Sequence, residues 1–220
     1  MKWVQVTAGV LAAGLMVGSH AQTVLSEGFD DVAALTASGW VFTNASTSAG
    51  LTWFQGNSGI YGAQFGAADS YAAANFNSTT ALSGVVDNWL ISPELAVGAG
   101  STLSFFTRAS DAGFFDLLEV RFSSGASAAA ADFSTLVGTV GSAAGATYPA
   151  AAWVAVSFTL PTAASGRFAL RYSVPNALDA SYIGVDSLTV TAVPEPAAWA
   201  LFGLGLAAVG SVAVRRSRTC

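Results

Sequence analysis

Residues 22–193 contain many short runs of β-branched and aromatic residues, and no helical period persists among them. The runs are broken by Gly, Ser, Asn and Asp, which are residues that favour turns. In one run Val120 and Phe122 fall on one face, while Glu119 and Arg121 fall on the other. Such alternation is typical of strands that are buried on one side. The sequence therefore predicts an all-β fold, an antiparallel sandwich of short strands.

The best candidate strands are the runs with the most β-branched and aromatic residues. They are residues 23–29, 40–43, 89–91, 102–108, 117–123, 153–160, 168–174 and 182–191. Two stretches rich in Ala, Ser and Gly, residues 126–131 and 141–152, are predicted to be loops, with one helical turn near Asp132.

The N-terminal residues 1–21 have the composition of a secretory signal. Lys2 precedes an apolar stretch, and the small residues Ser19 and Ala21 precede a cleavage point that would leave Gln22 as the first mature residue. The apolar stretch, residues 4–17, is shorter than the roughly 20 residues that a membrane-spanning helix needs. We therefore predict a removable signal peptide rather than an anchor.

The C-terminal residues 194–220 contain a longer apolar stretch. Residues 197–214 carry no charge, and Arg215, Arg216 and Arg218 follow at once. An uncharged stretch of that length can cross a bilayer, and the arginines belong on the cytoplasmic side. The sequence therefore predicts a transmembrane helix at about residues 197–214, and a β-sandwich that lies outside, at residues 22–193.

The exported segment is strongly acidic. All 13 acidic residues lie in residues 22–195, together with only four bases, Arg108, Arg121, Arg167 and Arg171, so the net charge is near −9. Nucleic acids and anionic membranes are bound by clusters of Lys and Arg. We therefore predict no nucleic-acid partner.

Residue usage excludes several kinds of chemistry from this segment. His20, Lys2 and Cys220 are the only residues of their types, and all three lie in the terminal segments. The sandwich therefore has no disulfide, Ser-His-Asp triad, cysteine nucleophile, lysine base or histidine-based zinc site. Hydrolysis by two carboxyl groups about 5–9 Å apart stays open. We predict no catalytic residues and no enzymatic activity.

The tail resembles the PEP-CTERM sorting signal of Gram-negative bacteria. The residues that carry the resemblance are Val193, Pro194, Glu195, Pro196, Arg215, Arg216 and Arg218, on either side of the apolar stretch. The resemblance implies export through the Sec machinery, a transient membrane anchor, and recognition and cleavage by an exosortase. It also implies a location in the cell envelope, at the cell surface or in the extracellular matrix.

Residues 22–193 resemble the choice-of-anchor J domain, a relative of the cleaved-adhesin and MAM-like jelly rolls. The resemblance rests on residues 26–30 (SEGFD), 39–40 (GW), 87–95 (DNWLISPEL), 103–105 (LSF) and 183–190 (IGVDSLTV). It implies a jelly-roll-like sandwich and an adhesive or structural role.

Glu27 and Asp186 resemble positions that bind Ca²⁺ in related jelly rolls, although this chain has Ser187 where many members carry a second acidic or amide residue. Strands from the two chain ends often lie side by side in such sandwiches. The two carboxylates are therefore expected to meet and to hold a structural Ca²⁺, because this ion prefers oxygen ligands. The alternative is that both are surface or hydrogen-bonded carboxylates.

A second acidic group, Asp111, Asp116 and Glu119, is predicted to be a solvated loop edge. Aromatic residues also gather in the first third of the chain: Trp40, Trp53, Phe54, Tyr61, Phe65, Tyr71 and Phe76. They would either fill the core or form platforms on which sugars stack. Besides adhesion, two functions therefore stay open: a module that binds exopolysaccharide or other surface glycans, and a carboxylate-dependent hydrolase.

Overall fold

A computed structural model describes residues 22–192, which form twelve strands joined by loops and short 3-10 turns. The strands are β1 (Gln22–Glu27), β2 (Val41–Asn44), β3 (Phe54–Gln55), β4 (Ala72–Asn75), β5 (Val86–Ile91), β6 (Leu95–Val97), β7 (Thr102–Ala109), β8 (Leu117–Ser124), β9 (Thr135–Gly141), β10 (Val154–Thr159), β11 (Ala163–Val174) and β12 (Tyr182–Ala192). The predicted signal peptide, transmembrane helix and sorting residues lie outside the described residues.

The strands form two six-stranded antiparallel sheets, which confirms the predicted sandwich. In the first sheet the order is β10-β7-β12-β4-β3, and β1 also pairs with β12. In the second the order is β2-β5-β11-β8-β9, and β6 also pairs with β11. The longest strands, β11 and β12, therefore lie inside their sheets, and each pairs with three neighbours.

All eight candidate strands are present, with ends that differ by a few residues. The predicted helical turn is a 3-10 turn at Ala130–Asp132. Four strands were missed: β3, β4, β6 and β9. β3 and β6 have only two and three residues. β4 is Ala-Ala-Ala-Asn and is buried throughout, so it has neither β-branched residues nor alternating polarity.

The core lies between the two sheets and is built from the inward residues of each strand. In β7 the buried positions alternate with half-buried ones, so that Leu103, Phe105, Thr107 and Ala109 face inward. Trp40 is buried near one end of the core, and its ring makes edge contacts with Phe29 and Phe168 at 5.9 Å between centroids. Apolar packing rather than a disulfide therefore holds these strands together.

Both ends of the described chain lie at one end of the sandwich. Gln22 pairs with Ala192, and the neighbouring Thr191 pairs with Thr102 at the start of β7. The opposite end of the sandwich is formed where β4 and β7 finish and β12 begins. Within residues 22–192, no helix has the length and apolar character needed to cross a membrane.

Candidate functional site

An open groove of about 1010 Å³ lies at the end of the sandwich away from the chain termini. Asn75 at the end of β4, Ser110 just after β7 and Tyr182 at the start of β12 line it. Its other walls come from loops, chiefly residues 76–82 after β4 and residues 177–181 before β12. Several loops that are distant in sequence therefore build one concave surface.

Large apolar side chains are exposed in this groove. Leu82 is 80% exposed and Leu178 is 56% exposed, and Leu51, Ile60 and Phe76 are also exposed there. Five of the ten exposed large hydrophobic residues of the described chain therefore lie in one groove. Isolated exposed side chains are ordinary, whereas a concentration of this kind makes the groove a candidate contact surface.

The groove wall formed by residues 177–181, before β12, is held in place by a buried carboxyl group. Asp116 is fully buried, and its Oδ1 accepts hydrogen bonds from the Tyr172 hydroxyl at 2.5 Å and from the Ser181 backbone N–H at 2.8 Å. Its Oδ2 accepts a hydrogen bond from the Ser181 hydroxyl at 2.6 Å. Ser181 lines the groove, so Asp116 positions this wall from behind without facing the groove itself.

Burial raises the pKa of Asp116, and the hydrogen bonds from Ser181 and Tyr172 only partly oppose that effect. Burial also raises the pKa of Glu119, but its hydrogen bonds with Arg121 and Arg171 outweigh burial, and the pKa is lowered. The prediction that Asp111, Asp116 and Glu119 form a solvated loop edge was therefore wrong for two of them. Only Asp111 is exposed, because Asp116 and Glu119 lie on or beside β8 under other strands and side chains.

Glu27 and Asp186 lie on paired strands, since Glu27 of β1 is the register partner of Leu188 of β12. Asp186 is fully buried, and its carboxylate accepts hydrogen bonds from the backbone N–H groups of Gln64 at 2.7 Å, Phe65 at 3.1 Å and Ser187 at 2.5 Å. Burial raises the pKa of Asp186, and these bonds oppose that effect. One oxygen of Glu27 accepts from the Phe29 N–H at 2.8 Å.

Each of the two carboxylates already has hydrogen-bond donors. A cleft of about 300 Å³ is lined by residues that include Glu27, Asp30 and Ser187, but not Asp186. Carboxylate and hydroxyl oxygens are the donors that Ca²⁺ accepts. Within residues 22–192, no three acidic, histidine or cysteine side chains come together as a metal site.

Most of the aromatic group in the first third of the chain is buried. Trp40, Trp53 and Tyr71 are buried in the described chain, whereas Phe65 is 78% exposed and Phe76 is 48% exposed. Tyr61 and Tyr71 stack on the outer face of the first sheet, where Tyr182 also packs against them. Neither tryptophan is therefore available as a platform for a sugar.

The C-terminal end of the chain matches a known protein motif. Residues 192–217 match the PEP-CTERM protein-sorting motif. The chain therefore carries the sorting signal that its sequence resembles, and it is an exported cell-surface protein. A comparison with curated protein sequences found no match.

Solved structures with the same fold are cleaved adhesin domains of Lys-gingipain (Kgp) from Porphyromonas gingivalis W83. The K1 domain is 23% identical with a TM-score of 0.58, over 78% of this chain and 99% of that domain. The K3 domain is 21% identical with a TM-score of 0.55, over 79% of this chain and 99% of that domain. The resemblance to the cleaved-adhesin sandwiches is therefore confirmed for the fold.

Replacing Asp116 tests its place behind the groove wall. Because the folded pKa is raised, the protonated carboxyl stabilises the fold below the unfolded pKa of about 3.9, and this contribution is lost as pH rises through the folded pKa. The destabilisation by Asp116→Asn should therefore be largest in acid and should shrink as pH rises. Urea unfolding of both proteins from about pH 4 to about pH 8 measures it.

Asp132→Asn is the matched control, since it makes the same substitution at an exposed carboxylate that is not among the groups that shift the pKa of Asp116, and it should show no such trend. A destabilisation by Asp116→Asn that grows with pH would contradict the assignment.

Proposed function

We propose that this exported protein is an adhesive or structural component of the cell surface or extracellular matrix, and that it contacts its partner through the end groove. One observation carries the proposal: the groove with its exposed apolar side chains lies at the end of the sandwich opposite Gln22 and Ala192. β12 runs from Tyr182 in the groove to Ala192, ten residue steps of about 3.3 Å each.

The chain ends lie at the end of the sandwich opposite the groove, so attachment through the tail leaves the groove accessible. The sorting motif begins at residue 192, so whatever holds the tail holds the sandwich by the end that lacks the groove. A partner can then approach the groove without meeting the point of attachment. An exposed apolar groove on a secreted domain otherwise has a cost, because it promotes aggregation.

The processing of the protein is part of the same proposal. The Sec machinery exports the chain, residues 1–21 are removed, and an exosortase recognises the tail. Val193, Pro194, Glu195 and Pro196 would form the recognised lead-in, and Arg215, Arg216 and Arg218 would stop transfer on the cytoplasmic side. The apolar residues 197–214 would then anchor the protein only until cleavage.

The hydrolase alternative gains no support from the carboxyl groups. Asp116 and Asp186 are the two acids with raised pKa, and each is enclosed by its own hydrogen-bond donors rather than directed into the groove. We propose that the domain is not an enzyme.

A structural Ca²⁺ remains a proposal for the cleft beside β1. Glu27 would supply a carboxylate, Asp30 lies on the same cleft, and Asp186 would support the site from the neighbouring strand. The ion would join the loop after β1 to β12 and stabilise the end of the first sheet without any role in catalysis.

Charge in the groove should prevent partner binding. Leu82→Asp places a carboxylate on a side chain that is 80% exposed, so folding is preserved while the apolar contact is lost. Full-length protein, purified in detergent, is titrated onto cells of the source strain that lack the gene. We expect the variant to need at least about tenfold more protein for half-saturation, because losing one buried leucine contact removes roughly 1.5 kcal/mol.

Leu136→Asp is the matched control, since Leu136 is 50% exposed on β9 and does not line the groove. Unchanged binding by Leu82→Asp, or an equal loss in both variants, would show that the groove is not the adhesive surface.

Calcium should raise the melting temperature of the protein if the cleft binds it. We expect millimolar CaCl₂ to raise Tm by a few degrees over protein in EDTA, because a ligand that binds only the folded state stabilises it. Glu27→Gln should abolish this rise, and Asp132→Asn, on an exposed turn away from the cleft, should leave it intact. No rise in the original protein, or a rise that survives Glu27→Gln, would show that this cleft does not hold Ca²⁺.

A further inference from the structure

The outer face of the first sheet carries two rows of hydroxyl side chains across four strands. The first row follows directly from the register. Thr159 of β10 pairs with Thr102 of β7, Thr102 pairs with Thr191 of β12, and Thr191 pairs with Thr23 of β1. Four threonines therefore stand side by side, about 4.8 Å apart from strand to strand.

The second row lies next to the first, two residues further along each of three strands. Ser157 pairs with Ser104, Ser104 pairs with Thr189, and Thr189 pairs with Ser26. On β1 a bulge between residues 23 and 25 adds one residue, which keeps Ser26 on the same face as Thr23. The two rows together are called the hydroxyl face, and they are about 6.6 Å apart along the strands.

The hydroxyl face points away from the core. The alternate residues Leu103, Phe105, Leu188 and Val190 are buried between the sheets, so their neighbours in the two rows face outward. All eight hydroxyl residues are exposed or half-buried. The Ser104 and Ser157 hydroxyls lie 3.0 Å apart, which shows that groups from adjacent strands come within hydrogen-bonding distance.

An aromatic side chain borders the two rows. Phe65 is 78% exposed and lines the same cleft as Ser26 and Thr189 of the second row. Its backbone N–H donates a hydrogen bond to Asp186, which ties the backbone of Phe65 to β12. Phe106 lies outward on β7 in the next row and is half-buried. Hydroxyl groups beside an exposed ring offer both polar and apolar contacts to one ligand.

We propose that the hydroxyl face binds a neutral, extended polysaccharide. Serine and threonine hydroxyls both donate and accept hydrogen bonds, and such short side chains lose little conformational entropy when they are held by a ligand. A sugar polymer repeats its hydroxyl groups along its length, so several weak contacts act together on a row. Phe65 would pack against the apolar face of one sugar ring.

The absence of charge on the hydroxyl face, together with the acidity of the domain, favours a neutral polymer. None of the eight hydroxyl-face residues is charged, whereas the described chain carries twelve acidic residues and four arginines. An anionic polymer would gain no ion pair on this face and would be repelled by the acidic domain around it. The surface is separate from the end groove, whose lining contains none of the eight residues, so this proposal does not depend on the adhesive role of the groove.

The test removes hydroxyl groups with little change in side-chain size. The variant Thr102→Val, Ser104→Ala, Thr189→Val removes one hydroxyl from the first row and two from the second. Full-length protein in detergent is run in native affinity gels that contain hydroxyethyl cellulose, a neutral β-glucan. We expect the unchanged protein to be retarded, and the triple variant to have a dissociation constant about tenfold higher, because three neutral hydrogen bonds are lost.

The matched control makes the same kinds of substitution on the outer face of the other sheet: Thr43→Val, Thr139→Val, Ser173→Ala. It should be retarded like the unchanged protein, as should Leu82→Asp in the groove. Carboxymethyl cellulose, with the same backbone and negative charge, should retard none of them. No retardation by the neutral glucan, equal retardation of both triple variants, or stronger retardation by the anionic glucan would each overturn the proposal.

Discussion

The antiparallel pairing of β12 is the interaction on which the rest of the structure depends. This strand pairs with β7 along one edge and with β4 and β1 along the other. Its inward residues Ile183, Val185, Leu188 and Val190 are buried in the core. The last strand of the domain therefore joins the first strand to the middle of the chain. Since the domain has no disulfide, this pairing and the core beneath it keep the chain ends together.

Residues of β12 lie in, or position, each surface for which a function is proposed. Its first residue, Tyr182, lies in the groove, and its last, Ala192, lies beside Gln22 where the chain leaves the sandwich. Its middle carries Asp186, whose buried carboxylate fixes the backbone of Gln64 and Phe65. Its outward threonines join both hydroxyl rows. One strand therefore separates the attachment end from the groove and sets the register of the hydroxyl face between them.

Much of the fold could be predicted from the sequence because the main strands alternate in polarity. The pairing of the first and last strands was also expected from the resemblance. β4 could not be predicted, because its alanines are small enough to be buried on both faces and show no pattern. Asp116 looked like a loop residue because nothing local in the sequence reveals that Tyr172 and Ser181 enclose it. The groove was missed for the same reason, since its exposed residues come from separate loops.

The tail is proposed to be a temporary membrane anchor that is removed before the sandwich acts at the surface. The intact mass of the protein recovered from the surface or matrix of exporting cells tests whether the tail is removed. We expect a mature chain that begins at Gln22 and ends near Pro194–Pro196, without the apolar residues 197–214 and the arginines that follow. A surface protein whose mass still includes Cys220 would contradict it.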